Sequence, residues 1–133
     1  MNTSRPKVFQ LEEANSLVPQ LETFLAELEE KQHSFDRLHD ELFFEELVEE
    51  ARLPETKFQE LEKTLEELAK SMEKIQGLGC VLRHVRRGLV DFLAKEGEKM
   101  IYYCWRRGEK EIQFYHPLRG GLFERRPLAG ASR

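Results

Sequence analysis

The sequence predicts an α+β fold in which a long antiparallel α-helical hairpin, similar to a coiled coil, precedes a small antiparallel β-meander of three to four strands. Two observations support this prediction. From Leu11 to Ile75, apolar residues recur every three or four positions, which is typical of helices that pack through one face. After Gly79 the pattern changes to short runs rich in β-branched and aromatic residues, separated by short glycine-containing turns. We assign a single domain, 1–133, with three parts: the helical hairpin (9–77), the β-meander (78–118), and a C-terminal segment with a tail (119–133).

The first helix follows a heptad pattern that begins at Leu11. Pro19 lies inside this pattern, where a proline removes one backbone hydrogen bond and clashes with the carbonyl of Asn15. The apolar seam keeps its phase across Pro19, so we expect one kinked helix that ends at Pro54. The second helix carries a shorter seam and stops at Gly77, a residue type that commonly ends helices.

The two helices differ in length, which leaves part of the first seam without a helical partner. About 40 residues span roughly 60 Å as a helix, whereas about 21 residues span roughly 30 Å. An antiparallel second helix therefore covers only the later part of the first. We predict that a second chain covers the rest, giving a homodimer or a higher even oligomer, with the chain's own sheet as the competing cover. The predicted self-association residues are Leu11, Val18, Leu21, Leu25 and Leu28.

The lengths of the turns predict which side chains share a face of the sheet. We place one turn at 95–98 and the next at Gly108–Glu109. Because side chains alternate along a strand, each turn assigns faces to the strands that it joins, and both turns give the same apolar face. Its predicted members are Val90, Phe92, Ile101, Tyr103, Trp105, Ile112 and Phe114.

This register places Cys104 and His116 on opposite faces of the sheet. A cysteine–histidine nucleophile pair needs the two side chains within hydrogen-bond reach, and a metal site needs them to converge. We therefore assign no metal ligands and no cofactor to the chain. A bulge at Gly108 would flip the last strand and reverse this interpretation.

The opposite face of the predicted sheet is polar and provides the candidate ligand-binding residues. These are Asp91, Tyr102, Cys104 and Arg106. The competing interpretation is structural: Asp91 accepts hydrogen bonds from tyrosine hydroxyls or pairs with Arg106, and the face is an interface. The basic run "RHVRRG" at 83–88 also has two interpretations: it could bind a phosphate, or it could be the charged turn of a hairpin.

Composition and charge indicate the location of the protein, the state of its thiols and the partners that it can bind. The sequence has no apolar run near 18 residues and no apolar stretch typical of a secretory signal at its start, so we expect a cytoplasmic protein that does not enter the membrane. Two cysteines without CxxC spacing are expected to be reduced thiols. Residues 1–76 carry 9 basic and 19 acidic side chains, whereas 77–133 carry 12 and 6. We expect the two halves to complement each other and do not expect a nucleic-acid partner.

Several short stretches resemble a bacterial family known as domain of unknown function 2203. The resemblance covers nearly the whole chain and is carried by "VFQLEEAN", "GLGCVL", "GLVDF", "CWRRGE", "YH", "GG" and "RRPL". Members typically have proline where this chain has Leu93, and often tryptophan where it has Tyr115. The resemblance implies a soluble bacterial protein. It implies no activity and no site residues.

The sequence favours a self-associating binding or scaffolding module. The alternative is a small enzyme or small-ligand binder that uses the polar face around Asp91, Tyr102, Cys104 and Arg106. No GxGxxG, P-loop, HExxH or CxxC motif occurs, so the sequence does not decide whether the protein is an enzyme.

Overall fold

The computed structural model describes residues 7–49 and 54–128, and in those ranges it contains helices followed by an antiparallel five-stranded sheet. The predicted α+β class is confirmed, while the predicted strand count of three to four is too low. The elements are α1 (Leu11–Ser16), α2 (Val18–Glu49), α3 (Glu55–Gln76), β1 (Val81–His84), β2 (Leu89–Glu96), β3 (Lys99–Arg106), β4 (Phe114–Pro117), a 3₁₀ turn (Leu122–Glu124) and β5 (Arg126–Pro127). The sheet order is β1-β2-β3-β4-β5, so the extra strand comes from the C-terminal segment.

The first helix is divided rather than kinked, because Leu17 separates α1 from α2. Pro19 has no N–H to donate to the carbonyl of Asn15, which explains a break at this place. The side chain of Asn15 instead accepts a hydrogen bond of 2.7 Å from the backbone N–H of Ile112, in the β3–β4 connection. This hydrogen bond attaches α1 to the β3–β4 connection.

Two ion pairs link α2 to α3. Lys31 pairs with Glu67 at 2.9 Å, and Glu27 pairs with Lys74 at 3.1 Å. Partners ascend along α2 as they descend along α3, which is the order expected for helices that run in opposite directions. The first helix was predicted to end at Pro54, and residues 50–53 just before it lie outside the described residues.

The seam that we assigned to self-association is covered by the chain's own sheet and α3. Four of its members are buried and Leu11 is half-buried, and all five belong to or pack against the core formed with Trp105, Phe92 and Ile75. The expectation that a second chain must cover this seam is therefore corrected, because the sheet removes the same leucine surface from water within one chain. The corrected residues are Leu11, Val18, Leu21, Leu25 and Leu28.

The β2–β3 hairpin has the predicted faces but a different register. Phe92 pairs with Tyr103 rather than with Ile101, since the turn contains two residues, Gly97 and Glu98, instead of four. A shift of two residues leaves every side chain on its original face. Phe92 and Trp105 accordingly lie on one buried face, as predicted.

The β3–β4 register differs from the prediction by one residue, which turns β4 over. Tyr103 pairs with Tyr115 and Cys104 with Phe114, whereas we expected Tyr103 opposite Phe114. The connection spans 107–113 and is not the short turn that we assumed. As a result, His116 shares the face of Cys104, and the prediction that these two residues lie on opposite faces is wrong.

Gly88 and Gly97 provide a matched pair for testing the packing at the edge of the sheet. Both have positive φ angles, 62° and 64°. A Cβ atom on Gly88 would lie 2.6 Å from the Cβ of Arg107, while a Cβ atom on Gly97 would meet nothing within 4 Å. We expect Gly97→Ala to lower the free energy of unfolding by about 1–2 kcal/mol and Gly88→Ala by about 2–4 kcal/mol in urea denaturation. Equal losses would contradict the close approach of Arg107.

Candidate functional site: a buried aspartate, cysteine and histidine on adjacent strands

Three side chains with metal-binding or catalytic chemistry converge on the face of the sheet that points away from the helices. Asp91 on β2 pairs with Cys104 on β3, and His116 on β4 pairs with the residue two positions before Cys104. Neighbouring strands therefore place all three on one face. Each side chain is buried, and their ligand atoms lie within 4.8 Å of one another. We call Asp91, Cys104 and His116 the Asp–Cys–His cluster.

Both ring nitrogens of His116 have a close polar partner, and these partners indicate where its protons lie. Its Nδ1 lies 2.8 Å from the carbonyl oxygen of Pro117, which only accepts, so Nδ1 carries a hydrogen and donates it. Its Nε2 lies 2.8 Å from Oδ2 of Asp91. An imidazole lone pair and a carboxylate are both acceptors, so a proton or another cation must lie between them at this distance.

Asp91 is also held by Arg83. The Nε of Arg83 donates to Oδ2 of Asp91 at 2.8 Å, and its guanidinium lies 4.8 Å from the centre of the Tyr102 ring. Arg83 is the unpaired residue of a bulge in β1, between the pairs Leu82–Val90 and His84–Leu89. Its side chain stays 43% exposed while the carboxylate is buried, so Arg83 connects the cluster to the protein surface.

The Cys104 thiol is protonated at neutral pH. The pKa of Cys104 is raised to about 11, first by burial and then by the nearby Asp91 carboxylate, while Arg125 acts in the opposite direction. His116 directs its Nε2 at Asp91 and is not available as a base for this thiol. The cluster as it stands is therefore not a cysteine–histidine nucleophile pair.

Cys80 provides a useful contrast with Cys104. Burial raises the pKa of Cys80 to about 11 as well, against a smaller lowering by a backbone hydrogen bond, and its thiol donates to the carbonyl of Ile75 at 3.3 Å. Cys80 belongs to the apolar core. Among the described residues, it is not part of any group of three potential metal ligands. We regard Cys80 as a packing residue.

Arg125 fastens the C-terminal segment over the cluster. It donates to the backbone carbonyl of Cys104 at 3.1 Å and to both carboxylate oxygens of Glu109, at 2.8 and 3.0 Å. Its guanidinium carbon lies 4.2 Å from the centre of the Phe114 ring. The Nε of Arg125 is buried and has no hydrogen-bond partner within the described part of the chain, which leaves one donor free on the Cys104 side of the sheet.

A small cavity adjoins the cluster. Its volume is about 190 Å³, and its walls combine all three cluster residues with Arg83, two leucines and a pair of glycines. The lining residues are Arg83, Leu89, Asp91, Cys104, His116, Leu118, Gly120 and Gly121. A wider groove of about 820 Å³ runs along α2, but its exposed charged walls hold no buried ligand atoms, so we place the candidate site at the cluster.

Of the four predicted ligand-binding residues, the structure brings Asp91 and Cys104 into the cluster. Tyr102 is adjacent, with its ring centre 5.5 Å from that of His116. Arg106 lies at the end of β3, is exposed and does not line the cavity. Sequence reasoning considered His116 as a partner of Cys104 and rejected it, because the inferred register placed the two on opposite faces; the bulge considered at Gly108 was the signal for the arrangement observed.

Comparison with known protein families gives a match over most of the chain. A family model described as "Uncharacterized conserved protein (DUF2203)" matches residues 7–128. No curated protein and no solved structure matches the chain. Among the described residues, no helix has the length and apolar character needed to cross a membrane.

Proposed function

Because the chain belongs to this DUF2203 family of uncharacterised conserved proteins, whose description assigns no activity, we propose a function from the chemistry of the site: the protein binds a divalent transition-metal ion of the zinc type. The ligands are Asp91, Cys104 and His116. The observation that carries the proposal is the convergence of three different buried ligand atoms within 4.8 Å. The earlier reason for assigning no metal, opposite faces for Cys104 and His116, no longer holds.

The donor set suits zinc better than calcium or magnesium. One sulfur, one imidazole nitrogen and one carboxylate oxygen are ligands that Zn²⁺ accepts, whereas the two harder cations require oxygen. Ligand atoms around a tetrahedral zinc ion lie roughly 3.5 Å apart, given bond lengths of about 2.0–2.3 Å. Side-chain adjustments of about an ångström would bring the three atoms to that spacing. A metal ion would displace the thiol proton and the proton between His116 and Asp91.

The surroundings of the cluster support this assignment. A histidine that ligates through one ring nitrogen usually donates the other N–H to a carbonyl or carboxylate, and the Pro117 carbonyl plays that part for His116. The Arg125 guanidinium lowers the pKa of Cys104 against the effect of burial, so it favours the thiolate that metal binding requires. Without a metal ion, the same residues form a buried ion-pair network with Arg83, and the experiment must separate the two cases.

We expect the chelator-treated, reduced protein to bind one Zn²⁺ per chain in calorimetry. Co²⁺ in its place should give the near-ultraviolet band of a cobalt–thiolate bond. Cys104→Ser should remove that band, and Cys104→Ser, Asp91→Asn and His116→Gln should each weaken binding by more than about 10-fold. Saturation at about 100 times Kd should stabilise the unmodified protein by roughly 2.7 kcal/mol.

Two control variants make the metal experiment specific. Cys80→Ser changes the other buried thiol, and His39→Gln changes an exposed histidine on α2 that stacks between two phenylalanines. Both should bind Zn²⁺ as the unmodified protein does. If the metal-free protein does not bind Zn²⁺, or if all three cluster variants bind it as tightly as the unmodified protein does, the ion-pair network is the whole role of these residues.

Self-association is the second candidate, now on a different surface. We propose that the helices form a coiled-coil-like hairpin in a cytoplasmic protein, and that two copies meet at the end of this hairpin farthest from the sheet. The supporting observation is a set of large apolar side chains on α2 and α3 that are 46–65% exposed. They are Phe43, Phe44, Phe58 and Leu65. Such clusters are uncommon on the surface of monomers.

Sedimentation tests self-association without reference to the metal. We expect a dimer for the unmodified protein at high micromolar concentration and a monomer for Phe44→Glu. The glutamate charge would have to leave water when two copies meet, and burying an unpaired charge costs free energy. The matched control is Phe123→Glu, since Phe123 is exposed in the C-terminal segment. A compact monomer for the unmodified protein would remove this candidate.

A further inference from the structure

We propose that the metal ion keeps one coordination position open to the adjoining cavity, and that this position, together with Arg83, binds a small monoanionic carboxylate. The inference rests on the proposed metal site and assigns its ligand class. It separates a site that binds or transforms a small molecule from one in which the metal only holds the strands together.

The number of protein ligands in the cluster indicates that the metal ion has an open coordination position. Zinc sites that are purely structural have four protein ligands, whereas sites that act on small molecules have three and a position for water or substrate. The cluster offers three, and no fourth histidine, cysteine, aspartate or glutamate from residues 7–49 or 54–128 joins it. The same cavity of about 190 Å³ touches all three ligands, so a fourth ligand has space on that side.

The charges of the site point to an anion. With the metal bound, its two positive charges are balanced by the Asp91 carboxylate and the Cys104 thiolate, and His116 is neutral. Arg125 is balanced by Glu109 in a close ion pair. The positive charge of Arg83 then remains, because its partner Asp91 is already counted. A single negative charge would make the site neutral.

The shape and lining of the cavity favour a short carboxylate. Ligand pockets for drug-sized molecules measure about 300–1,000 Å³, so this cavity fits only a few atoms. Leu89 and Leu118 provide apolar wall beside the polar cluster. Arg83 uses its Nε for Asp91 and remains 43% exposed, which leaves other guanidinium donors for a carboxylate at the mouth of the cavity.

The experiment uses Co²⁺-loaded full-length protein, whose visible bands respond to a change in the fourth ligand. Titration with acetate should shift these bands to saturation in the unmodified protein. Arg83→Met should weaken acetate by more than about 10-fold, the loss expected for a hydrogen bond to a charged group, while the cobalt–thiolate band stays. Arg83→Lys should retain part of the affinity. Arg86→Met is the matched control, because Arg86 lies in the same basic run but pairs with Asp36 on α2.

The outcomes separate the two proposals. Absence of the cobalt–thiolate band in the unmodified protein would overturn the metal site itself. A normal band with no response to acetate would leave the metal site standing and show that its fourth position is closed, which overturns this inference. Tighter binding of inorganic phosphate than of acetate would overturn the assignment to a monoanionic carboxylate, as would equal acetate affinities for Arg83→Met and the unmodified protein.

Discussion

Replacing Leu28 with alanine is expected to lower the free energy of unfolding by about 2–5 kcal/mol, and by the same amount at every protein concentration. Leu28 is fully buried in the core that α2 shares with the sheet and α3. Its truncation removes apolar contacts and leaves a cavity in a closely packed region. The packing lies within one chain, so dilution should not change the loss. Urea denaturation over a wide range of protein concentrations measures both quantities.

Leu65→Ala is the matched control for Leu28→Ala. It makes the same chemical change on α3, but Leu65 is 51% exposed. We expect its effect on the free energy of unfolding to stay within about 0.5 kcal/mol in either direction. A loss for Leu28→Ala that grows on dilution would show that a second chain covers the seam, as the sequence first suggested.

Helix faces were predictable because helical periodicity is a local property of the sequence. The seam from Leu11 to Leu28 was assigned to one apolar face, and that face is the one that enters the core. Its covering surface was not predictable. Contacts between α2 and the sheet region join residues far apart in the chain, as between Glu29 and Arg107, which are 78 positions apart, and no pattern within either segment specifies them. The inferred second chain followed from helix lengths alone, which do not take the sheet into account.

The strands show how the length of a connection controls what can be predicted. For β2 and β3 the register was wrong by two residues, yet Asp91 and Cys104 were still placed together, since a shift by two preserves the faces. For β4 the shift was one residue, so His116 was placed on the wrong face. The sequence marked Gly108 as a turn, but nothing in it indicated that the connection continues to Gln113.

The arginines around the cluster were beyond sequence reasoning for a related cause. Arg83 was noted only as part of a basic run, and its contact with Asp91 depends on a bulge that the sequence does not mark. Arg125 reaches the cluster because the C-terminal segment folds back and adds β5 to the sheet. We had assigned 119–133 only as a C-terminal segment with a tail. Both contacts are set by tertiary structure.

Trp105→Ala is expected to have the largest effect among the single substitutions, lowering the free energy of unfolding by about 3–5 kcal/mol. Trp105 is fully buried on the helix-facing side of β3, and its Nε1 donates to the backbone carbonyl of Glu109 at 2.8 Å. The substitution therefore removes both a large core side chain and a hydrogen bond that holds the β3–β4 connection. Because that connection leads into β4, we expect the position of His116 to depend on Trp105.

Two comparisons make the Trp105 prediction specific. Trp105→Phe keeps much of the apolar volume but loses the N–H, which leaves the Glu109 carbonyl without this donor. It should lower the free energy of unfolding, but by less than Trp105→Ala does. Phe123→Ala removes an aromatic ring that is 97% exposed and should change stability by no more than about 0.5 kcal/mol. Zn²⁺ calorimetry on Trp105→Phe provides the second measurement. If the hydrogen bond to Glu109 positions His116, the folded Trp105→Phe protein should bind Zn²⁺ more weakly than the unmodified protein, whereas unchanged affinity would mean that the register of β4 is held without it.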